Sequence, residues 1–367
     1  MRRIALLLLA LLLTGCVGPP TKESDTLSDI RQLTTGFTRA GQASFSPDMR
    51  WIVYQAVPPA ESEYQIYISE VRYEGSRIVG LGTPLRLTPK GSRNTSACFT
   101  PDGRSLLFAT SGDRPVVESS QTVRRAGEFV WSFPRGLEVV RADNWQSAIA
   151  MPEPGKGIDL PTMPLTTFGA YSAECALNAT GGLVAFASSR DRSGDVDLYA
   201  MHPDGKRVVR LTSSPGYDGG PAFSPDGKRL LFRSDRAGDG KLQIRSIKLV
   251  YDTKNELVGF SDDHILNANG YTNIAPAWFS DSRLVMYASN ATGTENFELR
   301  MMRRSGKQDC RITFTDGFDG FPSFSPDGRK LLWSSKRTAD GTVQLFVADF
   351  TVPPYVRMGW GESERDD

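Results

Sequence analysis

The stretch LTSSPGYDGGPAFSPDGKRLLFRSDR, Leu211 to Arg236, decides the fold. At its centre, Phe223-Ser-Pro-Asp-Gly227 is a turn by composition. Ser suits the first position of a type I turn, Pro presets φ at the second, Asp tolerates the third, and Gly supplies the positive φ that follows. Pro-Ala-Phe before it and Arg-Leu-Leu-Phe after it make the segment a β-hairpin signal. Close copies stand at Phe45-Ser-Pro-Asp48, Phe99-Thr-Pro-Asp102 and Phe324-Ser-Pro-Asp327, and worn ones at Leu177-Asn-Ala-Thr180 and Trp278-Phe-Ser-Asp281. An aromatic follows each, five residues past the glycine position: Tyr54, Phe108, Phe186, Phe232, Tyr287 and Trp333. Met49 and Ser282 stand where the other copies have Gly, so those turns are expected to be strained by on the order of 1 kcal/mol or differently shaped.

The copies recur about every 46 to 55 residues, once after about 78, a period of solenoids and propellers. Each unit continues in one order. A polar hairpin follows the aromatic (Ser189-Arg190, Ser234-Asp-Arg236, Ser289-Asn290, Ser335-Lys-Arg337), then a third strand (Asp197-Leu-Tyr199, Gln243-Ile244, Glu298-Leu299, Gln344-Leu-Phe346). A fourth strand carries Leu87-Thr88, Leu165-Thr166, Leu211-Thr212 or Ile312-Thr313. Six units of four short strands predict an all-β, six-bladed β-propeller with four antiparallel strands per blade. No Trp-Asp dipeptide ends a blade, which argues against the WD type. The last unit stops after its third strand, at Val343 to Asp349, and an orphan Leu33-Thr34 precedes the first turn. Ile30 to Thr34 is therefore expected to supply the outer strand of the last blade, closing the ring and removing an exposed sheet edge.

The predicted propeller spans residues 30–350, with a C-terminal tail at 351–367. Ahead of it, Arg2-Arg3 and the apolar run Ile4 to Leu13 read as a signal peptide over residues 1–15, too short for a spanning helix of ~20 residues. Leu13-Thr14-Gly15-Cys16 matches a bacterial lipobox, so Cys16 is the expected site of lipidation and of membrane anchoring. Residues 16–29 read as the lipidated cysteine and a flexible tether. The expected location is the cell envelope, on the periplasmic side of the outer membrane or at the cell surface; Val17, rather than Asp, after the cysteine fits outer-membrane sorting. The net charge of +1 and the absence of a basic run exclude nucleic acid as an expected partner. A monomer is expected.

The residues from Leu211 to Arg236 resemble the TolB-type propeller repeat, and the resemblance covers about 320 of the 367 residues. It implies the propeller fold and leaves function open. TolB carries an α/β domain before its propeller and is not lipid-anchored. Here about 14 residues separate Cys16 from the first expected strand, so the expectation is a TolB-like lipoprotein lacking that domain.

Alternating connections give the propeller two faces. On the face of the Ser-Arg hairpins, one repeat position holds Ala40, Asn94, Ser172, Asp218, Asn273 and Asp319, preceded by Arg39, Arg93, Tyr171, Tyr217, Thr272 and Phe318. Arg39, Arg93, Asn94, Tyr217, Asp218, Asn273, Phe318 and Asp319 are accordingly the candidate binding residues of a channel mouth. Their oxygens suit a hard cation such as calcium, or a polar peptide terminus; capping of turns is the simpler role for Asn and Asp. On the opposite face, Asp143 to Pro164 reads as the only large insertion, a proline-stiffened loop whose Trp145, Met151 and Met163 are candidate partner contacts. Cys98 and Cys175 fall at neighbouring positions on adjacent inner strands, so export would allow a disulfide between them; two small residues packed on a crowded strand is the simpler reading.

Catalytic signatures are missing. The chain has no Gly-x-Ser-x-Gly elbow and no His-Glu-x-x-His, and its two histidines, His202 and His264, sit beside no evident nucleophile. The expected function is a non-enzymatic envelope scaffold that binds a protein or peptide. The alternative is a carbohydrate-binding or carbohydrate-cleaving propeller with acids at the channel mouth.

Overall fold

The hydroxyl of each Ser/Thr-Pro-Asp turn is held from two sides. Ser46, Thr100, Ser224 and Ser325 each donate to the Asp carboxylate two residues on, at 2.6 Å. Each also accepts the backbone N–H five residues on, from Trp51 at 2.9 Å, Ser105 at 3.0 Å, Arg229 at 2.9 Å and Lys330 at 2.9 Å. The turns therefore carry their own hydrogen bonds before any tertiary packing. Met49 and Ser282 both adopt φ of 58°, so these two turns keep the shape of the glycine copies and carry the strain expected of them.

This computed structural model describes residues 18–114, 123–126, 129–150, 158, 160–191 and 195–358. Six antiparallel blades follow from the six turns, as the repeats predicted. The innermost strands are Arg39–Phe45, Asn94–Phe99, Ser172–Leu177, Asp218–Phe223, Asn273–Trp278 and Asp319–Phe324. Each packs on the next, and the sixth packs on the first. The six aromatics of the second strands lie between blades, none more than 1% exposed. Ring stacking such as Phe186 on Tyr199 and the tilted pair Trp333 and Phe346 fills the layers between the sheets.

The Leu-Thr pairs fasten each outer strand to the third strand. Thr88, Thr166, Thr212 and Thr313 accept the backbone N–H of Ile66, Val139, Leu198 and Leu299 at 2.8 to 3.0 Å. Thr88, Thr166 and Thr313 also donate to the side chain that opens the third strand: Gln65, Glu138 and Glu298. In the fourth blade Asn267 replaces the Thr and accepts from Ile244 N–H at 2.9 Å. The orphan Thr34 makes the same clamp on the sixth blade, accepting from Leu345 N–H at 2.9 Å and donating to Gln344 Oε1 at 2.9 Å.

Closure is thus by the N-terminal strand, although the strand runs over Leu27–Gln32 and not from Ile30 to Thr34. The segment ahead of it is not a free tether. Glu23–Asp25 forms a 3-10 turn, and the Glu23 carboxylate accepts from Phe314 N–H at 2.9 Å and from Arg337 at 3.0 and 3.1 Å. Asp143 to Pro164 is also not the only insertion. A second one separates Ser105–Thr110 from Glu138–Asp143 and contains the hairpin Val123–Ala126 with Phe129–Ser132, while Gln243–Tyr251 and Leu257–Ile265 form an extended hairpin in the fourth blade. These additions lack the repeat motif, so the spacing of turns could not place them. At the other end Pro354–Arg357 is helical, and Arg303 Nε donates to Val356 O at 2.9 Å. The expected signal peptide, with Cys16, lies outside the described residues, and no described helix is long and apolar enough to cross a membrane.

Candidate functional site: the axial cavity

Every innermost strand carries a bulge at the same step. Pairing with the second strand shifts between Gly41 and Ser44, Thr95 and Cys98, Ala173 and Ala176, Gly219 and Ala222, Ile274 and Ala277, and Gly320 and Ser323. The first bulged residue is left-handed in all six: Gln42 (φ 46°), Ser96 (59°), Glu174 (55°), Gly220 (59°), Ala275 (51°) and Phe321 (54°). Five of these carry side chains, each at a cost of about 1 kcal/mol, and strain of this kind concentrates at functional sites.

The six bulges line one cavity of about 140 Å³, together with Cys175, Arg233 and Pro322 among others. That is close to the ~150 Å³ of a cavity that admits a benzene-sized molecule. The wall has two halves. Gln42, Ser96 and Glu174 of the first three blades are polar, whereas Ala275, Pro276, Phe321 and Pro322 of the last two are apolar. Gln42 Nε2 donates to Ser96 Oγ at 3.0 Å. Phe321 is set by a tilted contact with Phe318, ring centroids 6.0 Å apart.

Glu174 organises the polar half. Its carboxylate accepts from Tyr171 at 2.6 Å, Tyr217 at 2.6 Å, the Gly220 N–H at 2.5 Å and Arg233 Nη2 at 3.1 Å. Arg233 Nε also donates to the Tyr217 hydroxyl at 2.9 Å. Burial, followed by the neighbouring Glu174 charge, pushes both tyrosine hydroxyls well above their usual range. They stay protonated and act as donors. Gly219 is needed beside this network, because a Cβ there would lie 2.2 Å from the Tyr217 hydroxyl. Glu174 is the one carboxylate among the described lining residues, and four donors already engage it.

The residues expected at the channel mouth lie elsewhere. Asn94, Asp218, Asn273 and Asp319 are each at most 1% exposed, and none lines the cavity. Asp218 pairs with Arg236 at 2.5 Å; Asp319 pairs with Arg337 at 2.8 Å and accepts from Trp333 Nε1 at 3.0 Å. Asn94 donates to Tyr64 O at 2.9 Å, and Asn273 to Asn269 Oδ1 at 3.0 Å. These side chains tie strand entries to neighbouring loops, and with both Asp carboxylates held by arginines they offer a cation no open carboxylate. Arg93 is paired with Glu63 at 2.5 Å, and Arg39 is exposed at its strand start. Of the eight, Tyr217 joins the cavity network and Phe318 supports it.

The partner loop also changes character. Trp145 is 1% exposed, packs edge-on against Trp51 and Phe99 with centroids 5.5 Å away in both cases, and donates to Gly103 O at 2.9 Å. It is a core residue. Met163 is exposed on the outer strand of the second blade, and Met151 lies outside the described residues. Cys98 and Cys175 are free thiols that share one apolar cluster.

Sequence reasoning missed the bulge ring because it looked two residues too early in each strand. One signal was present: three residues before each Phe, Leu or Trp of the turn, identity runs through Gln, Ser, Glu, Gly, Ala and Phe while the surrounding frame repeats.

No family model matches the chain. It is 30% identical over 184 residues to a Protein TolB homolog of Chlorobium luteolum, covering 49% of this chain and 38% of that protein. It is 25% identical over 179 residues to the Tol-Pal system protein TolB of Helicobacter pylori, covering 48% and 39%. The matched stretch therefore spans under two fifths of the length of these curated relatives. The crystal structure of TolB from Acinetobacter baumannii superposes with a TM-score of 0.51 at 18% identity, covering 86% of this chain and 65% of that one, a likeness of fold. The TolB resemblance of the repeat is thereby borne out.

Proposed function

We propose that the chain is a lipid-anchored envelope protein whose propeller is a non-enzymatic scaffold, binding a protein or peptide segment at the axial cavity. One observation carries this reading: six bulges, five of them strained, converge on a cavity with a polar half and an apolar half. Such a wall suits a peptide end or side chain that presents both kinds of surface. The similarity to a protein of the Tol-Pal system supports an envelope partner, and Leu13-Thr14-Gly15-Cys16 supports the anchor.

The carbohydrate-cleaving alternative needs two carboxyl groups facing one cleft. The described cavity wall offers Glu174 alone, already bonded to Tyr171, Tyr217, Gly220 and Arg233. Binding without chemistry is the better fit.

Anchoring and binding are tested separately. Cys16→Ala should move the protein from the membrane to the soluble fraction; retention after a salt wash would refute the anchor. For the scaffold, purified wild type and Phe321→Asp are compared in capturing envelope proteins after chemical crosslinking. The expected result is a discrete partner lost in the folded variant, and equal capture by both would refute use of the cavity.

A further inference from the structure

Cys98 and Cys175 lie on the innermost strands of the second and third blades, each beside its strand's bulge. Cys175 is the second bulged residue, directly after Glu174, and lines the cavity; Cys98 follows Ser96 by two positions. The Cys175 thiol reaches across to the second blade and donates to Ser96 O at 3.4 Å. Cys98 packs on the apolar cluster that contains Cys175 while keeping partial exposure. Neither thiol stands alone, and one of them faces an open space.

We propose that Cys98 and Cys175 close a disulfide between the second and third blades in an oxidising compartment, and that this bridge fixes the cavity wall at Glu174. The inference rests on export, one part of the reading above.

The oxidant is a small or protein disulfide. Cys98, the more exposed thiol, loses its proton and attacks one sulfur of that disulfide, whose S–S bond breaks and releases a first thiol. Cys175 then gives up its proton and attacks the Cys98 sulfur, expelling the second thiol. Two electrons pass to the reagent, and the two protons end on its two sulfurs. Cys175 is buried whereas Cys98 keeps partial exposure, which assigns the first attack to Cys98; Cys98 beside it and burial also hold the Cys175 thiol well above its usual range. Cys310 serves as an internal control: it is buried, and burial pushes its thiol up to about 12.

The test is incubation of the folded protein with oxidised glutathione, followed by non-reducing peptide mapping and thermal melting. A linked Cys98–Cys175 peptide is expected, with Cys310 free. Melting should rise by roughly 5 °C or more, reversibly with dithiothreitol, because the bridge closes a long loop. Cys98→Ser and Cys175→Ser, each folded by melting, should show neither change. Glutathione left on Cys98 without bridging, or free thiols throughout, would overturn the inference. Protein trapped by alkylation from intact cells gives the second arm. Bridging by glutathione combined with free thiols in cells would count against export and would leave the bridging geometry standing.

Discussion

Thr34 and Gln344 stand 310 positions apart and share a hydrogen bond of 2.9 Å, which locks the closing strand Leu27–Gln32 onto the sixth blade. The Leu345 N–H donates to the same hydroxyl. Thr34→Val removes both interactions from a buried site and should cost about 1–3 kcal/mol. Deleting residues 18–34 should destabilise far more, since it opens the ring and uncovers the edge of Gln344–Phe350. Chemical denaturation of the two variants checks this; wild-type stability in the deletion would show that the ring closes in another way.

Glu298 gives the fold a pH dependence. Burial, and then the nearby Asp319, outweigh help from Thr313 and Arg311 and raise its carboxyl from 4.5 to about 7. A raised folded value means that the native state holds the proton more tightly than the unfolded chain. Stability from this group is complete below about pH 4.5 and is lost as pH rises through 7. Gln65, Gln243 and Gln344 occupy the equivalent position in other blades, so Glu298→Gln should be tolerated. It should remove that slope and gain about 1–3 kcal/mol at pH 8. Parallel stability curves for the two proteins between pH 4 and 8 would contradict the assignment.

Glu174 and Arg233 form a coupled unit with the two tyrosines. Glu174→Ala leaves a nearly buried guanidinium without its carboxylate and should cost about 3–5 kcal/mol. Adding Arg233→Met should restore part of that loss, giving a coupling of about 1–3 kcal/mol in a double-mutant cycle. Strict additivity would mean that the pair does not organise the cavity wall.

The repeat frame was legible because its signals are local: Ser-Pro-Asp turns and Leu-Thr clamps bond to their own neighbourhood. Even the closing strand could be read, from a lone Leu33-Thr34 and a blade short of one strand. The site was less legible because it depends on where side chains point. Asp218 and Asp319 share a repeat position with Asn94 and Asn273, yet each faces an arginine brought by a neighbouring hairpin. Trp145 looked like a loop aromatic, and only tertiary structure places Trp51 and Phe99 around it. The bulge itself follows from pairing between two strands, which single-strand patterns do not encode.

The most direct test of a scaffold that binds through its axis is photocrosslinking in living cells, with a benzophenone amino acid placed at Phe321 in the cavity or at Met163 on the exposed outer strand. A discrete protein adduct is expected from position 321, weakened by Glu174→Ala in the folded protein, with little from position 163. Adducts confined to position 163, with none from 321, would contradict axial binding.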